Sequence, residues 1–161
     1  MAHTRSLSLA SLVLVAAATG CAGSRPPAEL AGLWSSGPAA CAAGVGVRFE
    51  SGAIDAVYER QREVLFEHPT YQVESAGEDF RVRIRYELPR RPGGVRVAGA
   101  YGVLVLERGE EGALRPASHN MIDGRTGSAR MRIVADPALT ALALTPCGGH
   151  PWREELRGRG I

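Results

Sequence analysis

Nine consecutive residues, Phe80 to Leu88, alternate without exception between apolar and charged side chains. Apolar residues fall on every even number and charged residues on every odd number, which is the period of a β-strand with one buried face. The pattern predicts that the even-numbered side chains enter a core and that Arg81, Arg83 and Arg85 face solvent. Pro89 is expected to end the strand, because proline cannot donate to a sheet ladder.

Further short apolar segments, separated by turn residues, follow this strand. Val95 to Leu106 is a long apolar run, in which Gly99 and Gly102 are expected to mark bulges or bends. Gly109 to Gly112 reads as a charged turn. A hairpin is predicted between the strand-like segments Ser118 to Ile122 and Ala129 to Val134. Its turn is expected at Asp123 to Gly127.

The segment from Ile54 to Phe66 is compatible with two structures. One set of residues recurs at helical spacing: Ile54, Val57, Tyr58, Gln61 and Leu65. Residues 54, 56 and 58, in contrast, alternate as in a strand. We favour two strands around a charged turn at Glu59 to Glu63. The whole pattern then predicts an all-β fold, a small antiparallel barrel or sandwich.

The N-terminal residues resemble an export signal. Arg5 precedes an apolar run, Leu7 to Ala18, that is too short to span a bilayer as a helix. The sequence Ala18-Thr19-Gly20-Cys21 resembles a bacterial lipobox, in which the Cys is acylated and the signal is cleaved before it. We therefore expect Cys21 to carry a lipid anchor.

This resemblance divides the chain into three predicted parts. Residues 1–20 are the signal peptide, residues 21–29 a flexible tether rich in Gly, Ser and Pro, and residues 30–161 a single β-rich domain. The expected location is the cell envelope, with the protein lipid-anchored and facing the periplasm. Because Ala22 rather than Asp follows Cys21, the sorting rule of enteric bacteria implies the outer membrane.

Three cysteines occur in the chain. If Cys21 is acylated, Cys41 and Cys147 remain as an even pair in an oxidising compartment, and a disulfide between them is the simplest arrangement. Such a bond would clasp the start of the domain to its end.

Charge and motifs argue against several classes of function. The chain has 19 basic and 17 acidic residues. Removing Arg5 with the signal leaves 18 basic and 17 acidic residues, so the net charge gives no reason to expect nucleic-acid binding. We recognise no nucleophile motif, phosphate loop or cofactor motif. His68, His119 and His150 are widely spaced and are expected to be solvated or turn-capping rather than metal ligands. An enzyme is the least favoured class.

Two polar regions are candidates for binding. The arginine ladder of the first strand is one, although a solvated face would look the same. The other is the predicted hairpin, which concentrates hydrogen-bonding groups around its turn. We take Asn120, Asp123, Arg125 and Arg130 as its candidate binding residues.

The segment Ala28 to Cys41 resembles the opening of lipocalin-like barrels. It contains Gly32-Leu33-Trp34, and it is similar to the entry strand of bacterial metalloprotease inhibitors of the small-barrel, outer-membrane lipoprotein type. The resemblance implies that Trp34 closes the barrel base and that Cys41 forms a disulfide. We expect a binding or structural role, with an envelope protein or a small apolar ligand as the partner besides the membrane. The alternatives are a periplasmic protease inhibitor and a carrier of a small apolar ligand.

Overall fold

The computed structural model describes residues 22–59, 61–89, 99–132 and 143–148, with only the backbone described for Glu110 and residues 129–132. Within these residues there are nine strands and one short α-helix, so the predicted all-β fold is confirmed. The helix α1 is Pro38–Ala42. The strands are β1 (Leu33–Ser35), β2 (Val45–Phe49), β3 (Ala53–Tyr58), β4 (Gln61–Ser75), β5 (Arg81–Glu87), β6 (Ala100–Arg108), β7 (Leu114–Asp123), β8 (Ala129–Arg132) and β9 (Thr145–Pro146).

The strands form one antiparallel meander. Each strand from β1 to β7 pairs with the next one along the chain, and β9 pairs with the free side of β1. The sheet order is therefore β8-β7-β6-β5-β4-β3-β2-β1-β9. The two strands predicted for residues 54–66 are confirmed as β3 and β4, but the predicted turn at Glu59 to Glu63 is too long, since residues 61–63 already pair with β3. The hairpin predicted around Asp123 is confirmed as β7 and β8.

A short segment joins the two ends of the meander. Leu144 exchanges two backbone hydrogen bonds with Leu114 of β7, of 2.8 and 2.9 Å, and the next two residues form β9 against β1. Within the described residues no continuous ladder closes the sheet, but this closing segment, residues 144–147, contacts both its first and its seventh strand.

The disulfide predicted between Cys41 and Cys147 is confirmed. It joins α1 to the closing segment across 106 residues of sequence, with the two Cα atoms 5.4 Å apart. The backbone N–H of Cys147 also donates to the carbonyl of Leu33, at 2.8 Å. The end of the described chain is thus fastened to its first strand and first helix.

The long strand β4 bends in its middle and changes partner there. Its first half pairs with β3 as far as Glu67, and its second half pairs with β5. At the bend, His68 has a φ of 49°, a left-handed conformation that is uncommon for non-glycine residues, and Pro69 is buried. The bend lets the meander curl around one core.

Side chains from both ends of the meander meet in that core. Trp34 is buried as expected, and its indole Nε1 donates to the carbonyl of Leu30 at 3.2 Å. The buried cluster comprises Leu30, Trp34, Phe49, Ile54, Tyr71, Phe80, Val82, Ile84, Leu106, Leu114 and Leu144.

Two details of the predicted strands are wrong. Phe80, Val82, Ile84 and Tyr86 are buried, but Leu88 is 51% exposed, because β5 ends at Glu87 and Leu88 lies beyond the ladder. Gly102 marks no bulge, since the register between β5 and β6 is regular around it. Residues 1–21, residues 95–98 of the predicted apolar run and residues 133–134 of the predicted hairpin lie outside the described residues, so the predicted division of the chain remains a prediction.

We predict that Ile84→Asp unfolds the domain whereas Arg83→Ala does not. Ile84 is fully buried, so the substitution loses its apolar burial and places a carboxylate in the core, at a cost of more than about 3 kcal/mol. The side chain of Arg83 is half exposed, where single substitutions change stability little. Chemical denaturation followed by circular dichroism measures both, and similar unfolding midpoints for the two variants would contradict the register of β5.

Candidate functional site

The hairpin of β7 and β8 holds the four residues taken as a binding site. Asn120 and Asp123 belong to β7, Arg125 lies in the turn, and Arg130 belongs to β8, where its side chain is not described. Asn120 pairs with Val103, whereas Asp123 pairs with Ala100. Being three residues apart on a strand, Asn120 and Asp123 point to opposite faces of the sheet. The structure therefore does not gather the four residues on one surface.

Asp123 stabilises the turn from within. Its side chain is buried, and its carboxylate Oδ1 accepts a hydrogen bond from the backbone N–H of Arg125 at 3.0 Å. The backbone of Asp123 also bonds to Ser128 and Gly127, at 2.9 and 2.8 Å. Such a carboxylate-to-backbone bond two residues on is the Asx turn that aspartate favours. The conformation of the turn therefore depends on Asp123.

The turn also rests on the start of β6. A Cβ atom at Gly124 would lie only 1.9 Å from the carbonyl oxygen of Gly99, so this contact requires glycine. Gly127 has a φ of 68°, which a side chain would strain. The hairpin tip, residues 124–128, is thus fixed on its inner side by backbone contacts.

The outer side of the tip is open to solvent. All five of its residues are exposed, and the side chain of Arg125 is 79% exposed, with its Nε 4.0 Å from Asp123 Oδ1. The tip therefore presents one guanidinium group on a turn whose backbone is fixed. A guanidinium is suited to carboxylate or phosphate groups because it donates several hydrogen bonds in one plane.

The arginine ladder of β5 is mostly paired within the protein. Arg81 contacts Glu74 at 2.9 Å and Glu107 at 2.7 Å, and Arg83 contacts Glu74 at 2.6 Å. Partial burial alone would raise the pKa of the Glu74 carboxyl, but hydrogen bonds from Arg83 and Arg81 outweigh it and lower the pKa. Arg85 stacks over the ring of Tyr101, 4.0 Å from its centroid. These internal partners make the ladder a weaker candidate than the tip.

An aromatic cluster on the inner face of the sheet was not predicted from the sequence. Phe66 stacks on Tyr86, with ring centroids 3.8 Å apart, and His119 meets Phe66 edge-on at 6.0 Å. The Tyr86 hydroxyl and His119 Nε2 share a hydrogen bond. Gly102 leaves room for the Tyr86 ring, since a Cβ there would lie 2.0 Å from Tyr86 Cζ. The expectation that the histidines are solvated or turn-capping is wrong for His119, which lies half-buried in β7.

Burial keeps this cluster uncharged. It lowers the pKa of His119 and raises that of Tyr86, so both groups are neutral near pH 7. Ser118, the neighbouring hydroxyl, lies on the opposite face of β7 because successive residues of a strand alternate. The hydrogen bond between Tyr86 and His119 therefore lies on the face of the sheet away from Ser118.

A groove runs beside the N-terminal part of the described chain. It has a volume of about 780 Å³ and is open to solvent. Residues 25–28 and Ala31 form one wall, and residues 49–52 form the other. Neither the hairpin tip nor the aromatic cluster contributes to it.

Two other features, a metal-binding cluster and a membrane-spanning helix, do not occur among the described residues. In these parts of the chain, His, Cys, Asp and Glu side chains do not assemble in groups of three or more that could hold a metal ion. His68 is exposed, and His150 lies outside the described residues. The helices among the described residues include none with the length and apolar character needed to cross a bilayer.

We predict that His119 makes the stability of the domain depend on pH. The folded state disfavours the protonated imidazole, so the unfolded chain gains a proton first as the pH falls. The contribution of neutral His119 to the free energy of unfolding is therefore fully present above the ordinary histidine pKa of 6.5. It is lost as the pH falls from 6.5 to the lower pKa that His119 has in the folded state. Denaturant unfolding at several pH values should show this decline in wild type and in His68→Asn, but not in His119→Gln. A decline of equal size in His119→Gln would contradict the assignment.

Comparisons with known proteins identify no relative of this chain: no family model, no curated protein sequence and no solved structure matches it.

Proposed function

We propose that this protein is a lipid-anchored protein of the bacterial envelope whose β-domain binds another envelope protein through the hairpin tip. The observation that carries the binding part is the geometry of the tip. The buried Asp123 carboxylate and two backbone hydrogen bonds fix the turn, while Arg125 remains 79% exposed. A turn ordered before binding loses little conformational entropy when it meets a partner.

The packing of the interior favours a surface site over an internal one. A carrier of a small apolar ligand needs an open cavity inside the sheet. In the described part of the chain, large side chains such as Trp34, Tyr71 and Phe80 fill the space enclosed by the meander. This favours the protein binder over the carrier, and a periplasmic protease is one class of partner that a rigid exposed turn would suit.

The roles of the four candidate residues differ in this proposal. Arg125 contacts the partner, and Asp123 positions the turn. Asn120, on the outer face of β7 opposite Val103, extends the contact surface. Arg130 stays a candidate binding residue predicted from the sequence, because its side chain is not described.

The anchor is tested by replacing the proposed acylation site. Cys21→Ser should move the protein from the membrane fraction to the soluble periplasmic fraction, since no acyl chain would be attached. Metabolic labelling with a radioactive fatty acid should mark wild type and leave Cys21→Ser unlabelled. Unchanged fractionation together with absence of label in wild type would overturn the anchor.

Binding at the tip is tested by site-specific photo-crosslinking in whole cells. A photoreactive residue at Thr126 should give one defined crosslinked product, while the same residue at Gln72, exposed on β4, should not give it. Arg125→Ala should weaken the complex by about 1–3 kcal/mol, because charge-assisted hydrogen bonds are lost.

A matched control for this substitution lies on β7, at the end far from the hairpin tip. Arg115→Ala removes an exposed arginine from the opposite end of β7 and should leave the crosslink unchanged. The same product from positions 126 and 72, or equal yields from Arg125→Ala and wild type, would overturn the hairpin tip as the binding surface.

A further inference from the structure

The N-terminal segment of the described chain is docked on the sheet. Gly23 exchanges two backbone hydrogen bonds with Tyr71 of β4, of 2.9 and 2.6 Å, as an antiparallel bridge. The pairing of β3 with β4 stops at Ala53 and Glu67. Tyr71 therefore lies beyond the end of β3, and Gly23 occupies the edge of β4 that β3 leaves free.

A second attachment lies a few residues further on. Residues 28–30 form a 3-10 turn that begins after Pro27, and its last residue, Leu30, is buried in the core. The Leu30 carbonyl accepts the hydrogen bond from Trp34. The segment between Gly23 and Leu30 is thus held at both ends, and Pro26 and Pro27 within it restrict the backbone further.

The bridge also defines the direction in which the chain approaches the domain. Because the pairing is antiparallel, Ala22 lies on the side of Gly23 nearer to Val73 and Ser75, the end of β4. Cys21 precedes Gly23 by two residues, so the two Cα atoms can be at most about 7 Å apart. The proposed anchor is therefore confined to the neighbourhood of this end of β4.

That end of the sheet lies opposite the hairpin tip. β4 and β5 are joined there by the turn Gly77–Asp79, and β6 and β7 by the turn Glu110–Gly112. The two turns are neighbours, since the N–H of Arg108 donates to the carbonyl of Phe80 at 2.9 Å. We call these two turns the basal end. From it, β7 runs ten residues to the tip, about 30 Å along the strand.

We propose that the docked segment orients the domain on the membrane, with the basal end against the phospholipid headgroups and the hairpin tip pointing away from them. This inference rests on the proposed acylation of Cys21. A free tether of nine residues would span about 17 Å and let the domain rotate, whereas the docked segment leaves only the two residues before Gly23. The two turns of the basal end carry only acidic charged residues, and Arg108 at the end of β6 donates to the Gly77 carbonyl beside them. We therefore expect the short connection, rather than charge attraction to the headgroups, to hold the basal end there.

The orientation is tested by energy transfer from labelled protein to acceptor lipids. The lipidated, disulfide-bonded protein carries one fluorophore on an introduced cysteine, either Glu78→Cys at the basal end or Thr126→Cys at the tip. It is reconstituted into phosphatidylcholine vesicles that contain an acceptor-labelled lipid. Transfer from position 78 should be several-fold more efficient than transfer from position 126.

A variant with a longer connection between Cys21 and Gly23 provides the control. An insertion of about twelve Gly and Ser residues between Ala22 and Gly23 adds about 20 Å of reach without changing the docked residues. It should keep the protein on the vesicles and reduce the difference between the two labels. A difference that persists undiminished in this variant would contradict the role of the short connection.

Two further results separate this inference from the proposed function. Equal transfer from the two positions in a protein whose acyl chains are verified on Cys21 by mass spectrometry would overturn the orientation alone. Absence of acyl chains from Cys21 would overturn the proposed anchor and the orientation with it.

Discussion

The fastening of the closing segment is the constraint on which the rest of the fold depends. A meander in which each strand pairs only with its neighbours encloses a core only if its two ends meet. Here they meet through Leu144, which bonds to Leu114, and through β9, which pairs with β1. The disulfide from Cys147 to Cys41 then holds this segment in place. Trp34 and Leu114, from opposite ends of the meander, share one core because of it.

This architecture moves the candidate binding surfaces to the ends of the sheet. Large buried side chains such as Trp34, Tyr71 and Phe80 pack inside the meander, whereas the turns and the outer face are accessible to a partner. The arginines on that face are largely occupied by Glu74 and Glu107, whereas the hairpin tip is hydrogen-bonded through Asp123 and exposed to solvent. If Gly23 also orients the domain as proposed, the tip lies on the side away from the membrane, where a partner can reach it.

The sequence predicted most of what depends on local pattern. Alternation identified the buried face of β5, and turn residues identified the β7–β8 hairpin. Leu88 was wrongly assigned to the core, because the sequence alternation continues past Glu87, where strand pairing stops. Counting cysteines identified the disulfide. The contact of Tyr86 with His119 was not predictable, because it depends on the register of three strands. The opposite orientations of Asn120 and Asp123 were predictable from their spacing of three, once both were assigned to one strand.

The central claim, that the disulfide-fastened closing segment holds the meander around its core, is tested most directly by unfolding the protein with and without the bond. Closing a loop of about a hundred residues is worth about 4.7 kcal/mol in the chain-entropy model, a large share of the stability of a small domain. The double variant Cys41→Ser, Cys147→Ser should therefore lose several kcal/mol of unfolding free energy, and the amides of Leu114 and Leu144 should exchange much faster with deuterium. Unchanged stability together with unchanged exchange at Leu114 and Leu144 would contradict the account.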